Sequence, residues 1–110
     1  MAEEYAELTT RGRRSGRPHT VELWFAAVGT TVWFVAGGGE GADWVRNLRT
    51  DPAVTVRVGA RTFAGRARRD AGDAAVARRL LATRYQEWEE GRPLSRWAAE
   101  GLAVAVDLEV

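Results

Sequence analysis

The chain contains no cysteine, no lysine, a single histidine (His19) and a single methionine, and each absence removes a class of chemistry. Without cysteine there is no disulfide framework, and a zinc site of the usual Cys and His ligands cannot be assembled from one histidine. Without lysine there is no Schiff-base chemistry and no phosphate loop of the Gly-Lys-Ser/Thr kind. A Ser-His-Asp triad would have to combine His19 with Ser15 or Ser95, and neither serine stands in a nucleophile-elbow context. No apolar run approaches the ~20 residues that span a bilayer. The acidic start, Met1 to Glu7, lacks the basic-then-apolar order of an export signal, so a cytoplasmic location is expected. The net charge of +1 is too small for a dedicated nucleic-acid binder. A chain so poor in nucleophiles and metal ligands, if it is an enzyme, leaves the hard chemistry to a cofactor, with no catalytic side chain of its own.

What is present is arginine, which supplies all 16 basic residues, together with 12 glycines and five tryptophans in 110 residues. That length is enough for one domain. Tyr5 to Thr10 reads as a first strand, and His19 to Ala27 as a second, rich in β-branched and aromatic residues. Gly29-Thr30 is a hairpin signal leading to a third strand, Thr31 to Ala36, which Gly37-Gly38-Gly39 ends. Asp43 is a plausible N-cap for a short helix from Trp44 to about Arg49, stopped by Pro52. Ala53 to Val58 and Arg61 to Arg68 read as two strands joined at Gly59-Ala60.

A long helix capped by Asp73 follows, its buried face predicted as Ala77, Leu80, Leu81, Arg84, Tyr85 and Trp88 from their three- and four-residue spacing. A second short helix is expected from Leu94 to Glu100, and Leu102 to Val110 closes the chain as a strand. The order β-β-β-α-β-β-α-α-β does not alternate strands with helices. It therefore predicts a mainly β, α+β domain with flanking helices and no doubly wound parallel sheet.

Two segments carry the chemistry. Arg11, Arg13, Arg14 and Arg17 place four guanidiniums in seven residues, interleaved with Gly12 and Gly16. Small residues let backbone N–H groups turn toward an anion, and arginine adds bidentate charge-assisted bonds to phosphate. Gly37-Gly38-Gly39 at a strand end, followed by Trp44 and Asn47 on a helix start, allows close approach of backbone to a flat ligand. Taken singly, each also reads as a solvated turn or as core.

In order, the string from Leu8 through Arg11-Gly12-Arg13-Arg14-Ser15-Gly16-Arg17 to Pro18, then Leu23-Trp24-Phe25, Val35-Ala36-Gly37-Gly38-Gly39, Trp44-Val45-Arg46-Asn47-Leu48, Asp51-Pro52-Ala53-Val54-Thr55-Val56 and Ala103 to Glu109 resembles the deazaflavin-dependent nitroreductase family. The resemblance covers nearly the whole chain. It implies a split β-barrel related to the pyridoxamine phosphate oxidases, with coenzyme F420 in a groove along the barrel. It implies that Arg13, Arg14 and Ser15, in the turn with Gly16, hold the phosphate and acidic tail. His19, Thr20, Val21, Leu23 and Trp24 would run beside the ring and ribityl chain. Val35, Ala36, Gly37 and Gly38 would meet the polar edge of the ring, and Trp44, Val45, Arg46 and Asn47 would add further contacts.

Tyr85 and Trp88 are the residues expected on the substrate side, Tyr85 as one source of a proton and solvent as the other. The implied activity is hydride transfer from reduced F420 to a small electron-poor acceptor, namely a quinone, enone or nitro compound. FMN or haem in the same fold, and a non-catalytic module for an anion or nucleotide, are the alternatives. Three positions depart from the family pattern. Glu22 stands where many members have proline, so its carboxylate could lie near the ring or in the barrel. The loop from Gly39 to Trp44 is short and acidic, and Trp88 replaces a more usual tyrosine. A homodimer through an exposed sheet face is compatible with the tryptophan content.

Overall fold

A computed structural model of the chain describes residues 4–68 and 74–110. Seven strands form one sheet: β1 (Ala6–Arg11), β2 (Pro18–Leu23), β3 (Ala26–Val28), β4 (Thr31–Ala36), β5 (Ala53–Val58), β6 (Arg61–Arg68) and β7 (Leu102–Leu108). Three α-helices accompany it, α1 (Asp43–Thr50), α2 (Ala74–Gln86) and α3 (Arg96–Glu100), with a 3-10 turn at Gly39–Gly41. The spatial order is β2-β1-β5-β6-β7-β4-β3, and every pairing is antiparallel.

The stretch expected as one strand from His19 to Ala27 is two strands, broken at Trp24-Phe25, and the two pieces lie at opposite edges of the sheet. This forces the sheet to curl. A flat sheet of seven strands would hold its edges about 29 Å apart at the usual strand spacing. The link from Leu23 to Ala26 can span only about 11 Å. The barrel is therefore closed at this seam by the covalent chain instead of a hydrogen-bond ladder.

Strand alternation sorts the core into two. Val32 and Phe34 of β4 and Val104 and Val106 of β7 point inward, meeting Leu8, Val56 and Phe25. Trp33, Val35, Ala103 and Ala105 point outward and are covered by Ala74, Ala77 and Leu81 of α2. The small alanines on both sides let helix and sheet approach closely, which is why β4 and β7 are buried on both faces while β2 is largely exposed. Helix α1 plugs one end of the barrel with Trp44, Val45 and Leu48. At the other side Asp107 joins three strands: it accepts from Arg68 Nε at 2.7 Å and from Thr31 Oγ1 at 2.8 Å. Those two donors, Arg68 foremost, hold its carboxyl below the usual range.

The helices correct three expectations. Ala42, with extended backbone and no side-chain cap, precedes α1, and Asp43 is its first helical residue. The expected cap Asp73 lies outside the described residues. The buried stripe of α2 is Ala74, Ala77, Leu81 and Ala82, whereas Leu80 is 43% exposed. Trp88 does not extend that face, because Glu87 turns left-handed at φ 54° and ends the helix, the Trp88 N–H donating to the Ala82 carbonyl at 3.1 Å. Glutamate is an uncommon residue for that conformation, so the stop has no signal in the sequence. Helix α3 starts at Arg96, not Leu94, with Ser95 Oγ capping the Ala98 N–H at 3.1 Å.

Candidate functional site

The β1–β2 connection folds back on itself. Gly12 N–H donates to the Arg17 carbonyl at 2.8 Å, Gly16 N–H to the Gly12 carbonyl at 2.9 Å, and Arg17 N–H to Ser15 Oγ at 3.1 Å. Gly16 takes a positive φ of 72°. Gly12 is required for a different reason: a Cβ there would sit 2.6 Å from His19 Nε2 and 2.8 Å from Ser15 Oγ. The turn and the imidazole are thus in close contact.

Arg13 points inward from this turn. Its backbone N–H and its Nη1 both donate to Asn47 Oδ1, at 3.2 and 2.9 Å, and its Nη2 lies 3.4 Å from Asp43 Oδ1. Asn47 is 4% exposed, and its Nδ2 donates to the buried Thr10 Oγ1 at 3.1 Å. Every polar atom of the Asn47 side chain is therefore used, which satisfies the rule that buried amides be paired. Arg13 is 24% exposed at its side chain, against 86% for Asp43, so the guanidinium serves as a brace between turn and helix. Arg14 differs. It is exposed and has no ion pair or hydrogen bond among the described residues. An open pocket of about 400 Å³ is lined by Gly12, Arg13, Arg14, Ser15, His19, Asp43 and Asn47.

From that pocket β2 leads away. His19, Val21 and Leu23 share one strand face, the latter two resting on the interior cluster. Thr20 and Glu22 take the other face. Thr20 Oγ1 bonds Thr9 Oγ1 at 2.8 Å. Glu22 is exposed, lying opposite Glu7 in register and beside Arg57 in a separate surface pocket, so it enters neither the barrel nor the arginine turn. Val35, Ala36, Trp44 and Val45 are buried in the two cores, which leaves mainly their backbone or edges to face a ligand. Gly37, Gly38 and Arg46 are exposed.

At the far end of β2, roughly 17 Å from His19 at the usual rise per residue, stands an aromatic group. Trp24 stacks on Tyr85, with centroids 4.6 Å apart and planes 6° from parallel, and meets Trp97 edge-on at 5.3 Å. The Tyr85 hydroxyl donates to the Glu4 carbonyl at 2.7 Å and accepts from the Phe25 N–H at 3.2 Å. Burial pushes the phenol pKa up, against the lowering effects of the Phe25 backbone bond and Arg84. Arg84 lies over the Phe25 and Tyr85 rings at 4.5 and 4.9 Å. Trp88 is not in this group, and its indole N–H donates to the Arg92 carbonyl at 2.8 Å instead. Trp97 takes its place, a residue that spacing did not single out because it lies in a helix of only five residues. Among the described residues no group of His, Cys, Asp and Glu could hold a metal ion, and no helix is long and apolar enough to cross a membrane.

The model of the F420H(2)-dependent quinone reductase family matches residues 2–109. The chain belongs to that family. The family is one of oxidoreductases named for dependence on reduced F420. No curated protein matches the sequence. Among solved structures, an F420 reductase is 23% identical with a TM-score of 0.67, over 98% of this chain and 88% of that one. A Listeria innocua protein provisionally described as a pyridoxamine 5′-phosphate oxidase is 18% identical with a TM-score of 0.70, over 97% and 85%. The haem storage protein HutZ of Vibrio cholerae is 17% identical with a TM-score of 0.69, over 98% and 82%. These likenesses establish the split β-barrel fold.

Proposed function

We propose that this chain binds reduced F420 along the His19–Val21–Leu23 face of β2 and reduces a small electron-poor acceptor, a quinone, enone or nitro compound. One observation carries the reading. A free guanidinium, Arg14, stands beside Ser15 and His19 in an open pocket whose turn is braced from below by Arg13 and Asn47. This donor set suits the anionic arm of such a coenzyme. Arg14 offers a charge-assisted fork. Ser15 Oγ accepts from Arg17 N–H and so keeps its own proton for donation. His19 presents its ring at the head of the strand.

When bound, reduced F420 supplies a hydride, two electrons with one proton, and a quinone that receives it takes one further proton from water to become a quinol. The chain's residues orient and exclude solvent. Arg13 and Asn47 hold the turn, Asp43 pairs with Arg13, and Val21 and Leu23 offer the apolar side of the strand face along which a flat ring would rest. Solvent is the better proton source, since the Tyr85 proton is engaged by the Glu4 carbonyl and its acidity is reduced by burial.

Titration of the protein with F420, followed by coenzyme fluorescence, tests this. Arg14→Ala should weaken binding at least about tenfold, the loss expected for one charge-assisted contact, and Arg13→Ala combined with Arg14→Ala should weaken it further. Affinity unchanged in the double variant would remove the phosphate assignment. A second reading keeps the groove and exchanges the ligand for FMN or haem, favoured by the position of the chain's sole histidine at the pocket and by the fold shared with HutZ. Thermal shifts against F420, FMN, haem and nicotinamides separate the two, and F420 binding without turnover of any acceptor would leave a binding module only.

A further inference from the structure

Helices α2 and α3 cover the outer face of the sheet at β3, β4 and β7, and α1 fills one end of the barrel. The outer face of β2, β1, β5 and β6 is left open, its side chains exposed or half-buried. Strand register sorts that face into three rows. The middle row is Thr20, Thr9, Thr55 and Ala64, with no side chain longer than threonine. The row on its Leu23 side carries Glu22 and Glu7 beside Arg57. The row toward the arginine turn carries Pro18 and Arg11, then Ala53 and Arg66. Glu7 pairs with Arg57 at 2.8 Å, and Arg11 with Asp51 at 3.4 Å. The side chains of Glu22, where the chain departs from the family pattern, and of Arg66 have no hydrogen bond or ion pair among the described residues. The acidic side is also an open pocket of about 350 Å³ that sets Glu4, Glu7 and Glu22 against the single guanidinium of Arg57.

We infer that this face packs against the same face of a second copy of the chain, related by a twofold axis along the threonine row. A neutral row with an acidic row on one side and a basic row on the other is complementary to itself, as an isologous contact requires. The short side chains of the middle row let a second sheet come to the ~10 Å of packed sheets. Charge fixes the direction of the axis. Along the threonine row, it lays the acidic row of each copy over the basic row of the other, so Glu7 and Glu22 meet Arg11 twice. Along the strands, it would stack Arg11 and Arg66 on their own symmetry mates. Glu22 thereby gains the partner it lacks within one chain. None of the five tryptophans lies on this face. His19, Val21 and Leu23 point away from it, so the proposed coenzyme face stays open in the dimer. A face four strands wide is smaller than the standard interface of about 800 Å² per partner, so the dimer should dissociate on dilution.

Sedimentation velocity of the intact chain between about 5 and 300 μM tests this, and should show monomer passing to dimer by mass action. Thr9→Arg sets two guanidiniums face to face on the axis and should leave a monomer throughout. Glu22→Arg, at an exposed position on an edge strand, should weaken association at least about tenfold, as should Arg11→Glu. The two changes in one chain exchange the signs of facing groups and should bring the dimer back to within about threefold of wild type. That rescue separates a charge contact from a folding defect, and circular dichroism checks each variant. A wild type that stays monomeric at the highest concentration would overturn the inference. So would a dimer that Thr9→Arg and both charge reversals leave unchanged, since it would use another face.

Discussion

At the guanidinium end of β2, the turn from Gly12 to His19 supplies most of the pocket and α1 the remainder. At the aromatic end, Trp24, Tyr85 and Trp97 come from the β2–β3 link, α2 and α3, elements far apart in the chain. The first end is held by directional bonds converging on one buried amide, Asn47, and the second by stacked rings around one hydroxyl, that of Tyr85. A polar network fails when a single partner is lost, because the others are left buried and unsatisfied. A stacked group loses contact area more gradually. The two ends of the same strand should therefore respond unequally to comparable substitutions.

The largest effect is expected at Asn47. Asn47→Ala strands Thr10 Oγ1 and the Arg13 backbone N–H, and should cost about 2–3 kcal/mol in urea denaturation while also weakening F420 binding. A cost below half that would erase the contrast between the ends. At the aromatic end, Tyr85→Phe keeps the stack and removes one hydroxyl, for a smaller loss of about 1–2 kcal/mol. The same hydroxyl sets an alkaline dependence. Because its pKa is raised on folding, the folded state retains a proton that the unfolded chain gives up. Its stabilising contribution is full below about pH 10 and is lost as pH climbs through the elevated folded value. Tm measured from pH 9 to 11 should fall more steeply in the wild type than in Tyr85→Phe, and parallel curves would exclude this linkage. The smallest effect is a gain. Asp43→Asn removes an exposed carboxylate that shares Arg13, and should tighten F420 binding by about two- to fivefold, as exposed pairs of this kind are weak. Weaker binding in that variant would mean that Asp43 positions Arg13 for the coenzyme rather than competing with it.

The same contrast governs what could be read before the structure. The arginine turn was legible because its glycines and guanidiniums are contiguous, and local geometry alone brings them together. The continuous apolar run from Val32 to Ala36, bounded by Gly29 and Gly37, similarly marks β4 directly as a strand buried on both faces. The break at Trp24-Phe25 was not legible, since both residues have high strand preference and only closure of the barrel makes the chain leave one edge and join the other. Nor was the loss of Trp88 from the helix face, which depends on Glu87 adopting a conformation its side chain does not favour. The engagement of Arg13 with Asn47 and Asp43 was not legible either, because it depends on where α1 docks, a contact with no local signature.

Composition and pattern by themselves decided that this chain is a mainly β domain with flanking helices, that it lacks the thiols and amines of covalent catalysis, and that one glycine-rich turn gathers four arginines. Periodicity and local backbone preference act over a few residues, and those properties need nothing more. The tertiary structure decided which arginine is free, where the sheet closes, and that Trp97 rather than Trp88 completes the aromatic group. Each of these turns on an approach between segments distant in sequence, set by the curl of seven strands and the docking of α1, α2 and α3, which no short window of residues contains.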